Sequence, residues 1–137
     1  MQLIPHLNFK GNCEEAFKFY AQSLRGKIQT LMTFGDSPMA DQVPSDWGSK
    51  IIHATLIVGS AQMMGSDAPP ERYEKPKGMT VTLQLDDPAE AERIFRELSE
   101  SGTVTMPIQQ TFWAARFGML VDRFGIPWMI NCGGEAA

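Results

Sequence analysis

NCEEAFKFYAQSLRG, residues 12–26, and DPAEAERIFRELSESG, residues 87–102, decide the fold, because each reads as one complete helix and the two match each other. In the first, Asn12 is placed to accept from the free amides of the opening turn while Glu15 reaches back, as in a capping box. In the second, Asp87 precedes Pro88 at the first helical position, where proline is tolerated. Ala16, Phe17, Tyr20 and Leu24 fall on one apolar stripe, as do Ala91, Ile94, Phe95 and Leu98, so each helix has one face to bury. Gly26 and Gly102 close them, Gly26 at a position expected to turn left-handed. The openings lie 75 positions apart, from 12 to 87, and at that offset Glu15/Glu90, Ala16/Ala91, Lys18/Arg93, Phe19/Ile94 and Tyr20/Phe95 correspond. This is an internal duplication.

Outward from the helices, the chain reads as strands. Leu3 to Phe9 alternates apolar and polar residues, as a strand with one buried face does. Lys27 to Phe34, Ile51 to Val58 and Ala61 to Met64 are β-prone runs divided by Gly, Pro, Ser and Asp. The second half repeats the scheme with Thr80 to Leu85 before its helix, then Thr103 to Met106, Arg116 to Val121 and Ile126 to Asn131. The expected architecture is α+β: one domain, residues 1–137, of two βαβββ modules at about 1–70 and 78–133. Each module would leave the open face of a curved mixed sheet uncovered. Pairing of the halves, or of two chains, is therefore expected to cover it, with a cavity between sheets, and a homodimer is the expected assembly.

With 137 residues, 43% hydrophobic and 20% charged, the chain has enough apolar material for a core, which excludes a disordered protein. The net charge is −4 and no run of Lys or Arg is present, so neither nucleic acid nor an anionic membrane is an expected partner. The start, MQLIPHLNFKGN, has neither the apolar stretch of a signal peptide nor a membrane span, which points to the cytoplasm. Cys13 and Cys132 belong to no zinc or C-x-x-C spacing and read as buried or incidental thiols.

The stretches QTFWAARFG (110–118), DRFGIPWMIN (122–131), FKGNCEEAFKFY (9–20), HATL (53–56) and MMGSD (63–67) give the chain a resemblance to the PhnB-like branch of the glyoxalase/bleomycin resistance/extradiol dioxygenase superfamily, the vicinal oxygen chelate proteins. The resemblance covers nearly the whole chain. It implies the glyoxalase-type fold, and in metal-dependent members four ligands, usually His, Glu or Gln, from the first and fourth strands of each half. Here the corresponding positions hold Thr80 for a usual His, Met129 for a usual Glu, a choice among Gln62, Met63 and Met64, and His6 displaced by one or two positions. Thioether and hydroxyl do not hold Ni²⁺, Zn²⁺ or Fe²⁺ in such a site, so no metal is expected. Some members are labelled demethylubiquinone methyltransferases, but no Gly-rich turn that would hold a nucleoside lies between a strand and a helix, and no cofactor is expected.

What remains is a pocket of aromatic and polar side chains. Alternation puts His53, Thr55 and Ile57 on the face opposite Ala54, Leu56 and Val58. His53 is thus a candidate general base or ligand anchor, with a structural histidine as the plain alternative. Phe112 and Trp113, beside Phe117 and after Gln109 and Gln110, lie at the cavity mouth in the resembled family, where rings stack on a flat ligand. Met129 and Asn131 share one face; Trp128 and Ile130 face the helix. His6, Gln62, Met64, Thr80, Phe112, Trp113, Met129 and Asn131 are the candidate ligand-binding residues, and His53 the candidate catalytic one. Methionines at 63, 64 and 129 suit an adaptable apolar pocket. Residues 35–50 form a long loop, read as a lid or a dimer arm. The expectation is a protein that binds a small hydrophobic or aromatic molecule in a metal-free cavity. Alternatives are a glyoxalase- or dioxygenase-like enzyme with an unusual ligand set including His6, Gln62 and His53, and a non-catalytic dimeric interaction module.

Overall fold

A computed structural model describes residues 1–133. The chain divides into two compact units, Met1–Glu74 and a second beginning at Lys75. In the first, β1 (His6–Phe9), α1 (Cys13–Leu24), β2 (Lys27–Thr33), β3 (Ile51–Val58) and β4 (Ala61–Asp67) make one sheet in the order β1-β4-β3-β2. In the second, β5 (Val81–Leu85), α2 (Pro88–Ser99), β6 (Thr103–Gln109), β7 (Arg116–Val121) and β8 (Pro127–Cys132) make another in the order β5-β8-β7-β6. These are the two expected βαβββ modules of an α+β chain. In each, the strand before the helix runs parallel to the last strand and the remaining pairs are antiparallel.

Each helix lays its apolar stripe on one face of its own sheet. Ala16, Phe17 and Tyr20 of α1 are fully buried with Phe9, Ala54 and Leu56, and Phe9 meets Phe17 edge-on at 6.1 Å. Ala91, Ile94, Phe95 and Leu98 of α2 are buried, as are Leu120, Trp128 and Ile130 of its sheet. Burying each such large side chain contributes about 1.5–3 kcal/mol, which is what holds a 12-residue helix that would be marginal alone. Alternation then turns His53, Thr55 and Met64 in the first sheet, and Met129, Asn131 and Phe117 in the second, to the face away from the helix.

The structure corrects several local expectations. The first strand begins at His6, and Leu3 is exposed, because pairing with β4 starts only at His6–Met64. The Asn12 side chain makes no capping bond. Its place is taken from a distance by Asp67, whose Oδ1 accepts from the amides of Gly11 and Cys13 at 2.9 and 3.0 Å, and whose Oδ2 accepts from Ile51 at 2.8 Å. Asp87 caps α2 locally, accepting from Ala89 at 3.0 Å. The left-handed residue that ends α1 is Arg25 (φ 54), not Gly26; α2 ends on an extended Glu100, and Ser101 (φ 61) is the left-handed residue of the turn that follows. Gly26 and Gly102 are needed for space instead: a Cβ there would lie 2.7 Å from the Ile57 carbonyl oxygen and 2.5 Å from that of Val121. Strands β4, β6 and β8 each run further than their sequence patterns, to Asp67, Gln109 and Cys132.

Candidate functional site

The face of the first sheet turned away from α1 carries a polar row. His6 pairs with Met64 across β1 and β4, and Met64 with Thr55 across β4 and β3. The His6 Nε2 is 2.9 Å from Ser66 Oγ, and that hydroxyl lies 3.5 Å from Asn8 Oδ1. The His53 Nε2 is 3.1 Å from Thr55 Oγ1. Thr55 is buried, so its hydroxyl has its partner in the ring. Desolvation by the surrounding protein, and then the proximity of His53, hold the His6 pKa below the ordinary histidine value. His6 is thus biased toward the neutral ring that accepts or donates without charge. Gln62, at the other end of β4, donates to Gln2 Oε1 at 3.1 Å.

The second sheet has the same plan with different chemistry. Thr82 pairs with Met129 across β5 and β8, as His6 pairs with Met64, and its hydroxyl points at Met129 Sδ, 3.7 Å away. Gln84 pairs with Asn131, whose Nδ2 donates to Gln84 Oε1 at 2.6 Å, and Gln84 Nε2 donates to the Gly133 carbonyl at 3.3 Å. On the other side Asn131 pairs with Phe117 of β7. The Phe117 ring meets Trp113 at 5.2 Å, and Trp113 meets Phe112 at 4.7 Å, both edge-on. Phe112 is 86% exposed and Trp113 39%.

Of the candidate residues, His6, Met64 and His53 share one face of the first sheet, and Met129 and Asn131 one face of the second, next to the ring cluster that includes Phe112 and Trp113. Gln62 shares the parity of Met64 but sits one strand repeat away. Thr80 is exposed and lies just before β5, while Thr82 stands beside Met129. Thr82, Gln84, Ser66 and Asn8 were not among the candidates. A signal for the first two existed, since Thr80, Thr82 and Gln84 have the same parity; which of them faces the sulfur is a matter of register between β5 and β8.

The paired positions on the first and last strands of each module therefore hold His6 with Met64, and Thr82 with Met129. Neither an imidazole beside a thioether nor a hydroxyl beside a thioether is the imidazole, carboxylate or thiolate set that a divalent transition-metal centre takes. Among the described residues no three His, Cys, Asp or Glu side chains come together as donors. The buried carboxylates Asp67 and Asp122 are spent on structure: Asp122 accepts from the amides of Phe124 and Ile126 and from Trp128 Nε1 at 2.8 Å. Burial raises the pKa of Cys13 and of Cys132, so both thiols stay protonated and poorly nucleophilic. The loop over residues 35–50 is closed at its base by Gly35 donating to the Gly48 carbonyl at 2.8 Å and holds two 3-10 turns, Ala40–Gln42 and Ser45–Trp47. Among the described residues no helix is long and apolar enough to cross a membrane.

A family model described as 3-demethylubiquinone-9 3-methyltransferase matches residues 1–131. The chain is 35% identical to Protein YjdN of Escherichia coli over 96% of its own length and 95% of that protein's. Among solved structures it is similar to protein PA1353 from Pseudomonas aeruginosa, at 51% identity and a TM-score of 0.88, covering 96% of this chain and 97% of that one. It also shares the fold of a protein from Bacillus cereus described as a putative 3-demethylubiquinone-9 3-methyltransferase, PhnB protein, at 22% identity and a TM-score of 0.79, over 96% and 99% of the two chains.

Proposed function

The chain belongs to the 3-demethylubiquinone-9 3-methyltransferase family, the PhnB-like branch of the glyoxalase/bleomycin resistance/dioxygenase superfamily, and from that premise we propose that it binds a small hydrophobic or aromatic molecule without the help of a metal ion. The observation that carries this reading is the make-up of the sheet faces turned away from the helices. Where metal-dependent relatives of this fold are expected to place hard donors, each module places a methionine, Met64 or Met129, and the second adds the Phe112, Trp113 and Phe117 rings. Thioethers and rings give an apolar, polarizable surface, and in the second module Thr82, Gln84 and Asn131 add a few oriented polar groups, the usual make-up of a small-molecule site.

A methyl transfer of the kind the family description names would need S-adenosylmethionine. Both helices begin with a side-chain carboxylate already on their first amides, Asp67 for α1 and Asp87 for α2, which leaves neither helix start open to the carboxylate of that cofactor. The proposal therefore contains no transfer step. The test is elemental analysis of tag-free protein, then melting-temperature shifts with Ni²⁺, Zn²⁺, Mn²⁺ and Fe²⁺ and with the neutral aromatic probe N-phenyl-1-naphthylamine. A ligand of the native state must stabilise it. Stabilisation by the aromatic probe with none by metals is expected; one tightly held equivalent of metal would overturn the reading.

A further inference from the structure

The second module contains a chain of amides whose orientation is fixed from one end. A backbone carbonyl only accepts, so Gln84 must present Nε2 to Gly133 O, and its Oε1 must therefore face Asn131. Asn131 answers with Nδ2. Its Oδ1 is left turned away from Gln84, buried and without a hydrogen-bond partner. Buried acceptors in native chains are nearly always satisfied, and an exception is a place to look for a missing donor. The strand neighbour of Asn131 on the side away from Gln84 is Phe117, the inner member of the ring cluster whose outer members, Trp113 and Phe112, are exposed.

Resting on the reading that this face binds an aromatic molecule, we infer that Asn131 and the Phe112, Trp113 and Phe117 cluster recognise a flat, uncharged aromatic ligand that carries a ring O–H or N–H, with that donor delivered to Asn131 Oδ1. The rings supply stacking area and the amide supplies direction. The ligand is neutral because the neighbours on this face, Thr82, Gln84, Phe117, Met119 and Met129, include no carboxylate for a cation and no Lys or Arg for an anion. An analogue lacking the donor leaves Oδ1 orphaned, which is where hydrogen-bonding sites discriminate most.

The test is calorimetric titration of the full chain at pH 7 with 2-naphthol and with 2-methoxynaphthalene, which share their rings and differ in the donor. The expected result is 2-naphthol binding about tenfold more tightly. Asn131→Leu is expected to bring 2-naphthol down to the level of 2-methoxynaphthalene while leaving the latter unchanged, and Trp113→Ala to weaken both. Equal affinity of the wild-type chain for the two probes overturns the role of Asn131 and leaves aromatic binding standing. Binding of neither overturns both. The wild-type comparison does not depend on any variant folding.

Discussion

The first module holds its helix start from a distance and the second holds it locally, although the two backbones follow one plan. In the first, Asp67 at the end of β4 reaches the turn before α1 and the first residue of β3 together, so one carboxylate ties three segments. In the second, Asp87 caps α2 alone, and the buried carboxylate, Asp122, has moved to the turn between β7 and β8, where it fixes Trp128. The first module crosses the corresponding turn, between β3 and β4, through Gly59 with a left-handed φ of 59. The open faces diverge as well. Histidines 6 and 53 put two imidazoles on one face, whereas Thr82, Met129, Gln84, Asn131 and Phe117 make the other uncharged. The helix-facing sides agree in type and the other faces do not, because close packing against a helix restricts what can stand on the side that meets it.

Breaking this comparison begins with the carboxylates. Asp67→Ala leaves three amides without their acceptor and is expected to lower the unfolding free energy by about 3–5 kcal/mol, with Asp122→Ala close behind at about 2–4 kcal/mol. Urea denaturation followed by tryptophan fluorescence measures both; a cost under about 1 kcal/mol for Asp67→Ala would remove it as the tie of the first module. Next come the helix ends. Gly26→Ala and Gly102→Ala push a methyl group against backbone carbonyls and should each cost about 1–3 kcal/mol, nearly equal in the two modules. Unequal costs would show that one of the two turns relaxes.

The caps sharpen the contrast. Asp87→Ala is expected to cost about 1 kcal/mol and Asn12→Ala less than about 0.5 kcal/mol, since the Asn12 side chain caps nothing. The smallest effect is a dependence on pH. The folded pKa of His6 lies below its ordinary value of 6.5, so the unfolded chain takes up the proton first. His6 then contributes stability above that value which is lost as pH falls through it toward the lower folded pKa. Thermal melts between pH 8 and pH 5 should show this acid loss diminished in His6→Gln. Thr82→Val, at the equivalent place in the second module, should leave the pH profile as it is.

Much of the architecture was legible because it rests on local patterns. The stripes Ala16, Phe17, Tyr20, Leu24 and Ala91, Ile94, Phe95, Leu98 named both helices and their buried faces, and the bounds of β3 and β7 followed from β-prone runs between turn residues. Alternation also placed His53 opposite Leu56, and Met129 opposite Trp128. The site was less legible. Asn131 and the rings were identified by type, but not the fixed direction of the Asn131 amide, which depends on Gln84 and on a carbonyl beyond β8. The resemblance pointed to Thr80, whereas the register between β5 and β8, which parity alone does not give, sets Thr82 beside Met129.

By itself, then, the sequence determined the duplicated βαβββ plan and the faces of its strands, since periodicity and residue type act over a few neighbours. Only the tertiary structure decided that Asp67 replaces Asn12 as the cap of α1, that Thr82 stands beside Met129, and that Asn131 keeps a buried acceptor without a partner. Those pairings join residues some 45 to 60 positions apart in the chain, and a strand register that shifts by one or two residues changes them while leaving every local pattern intact.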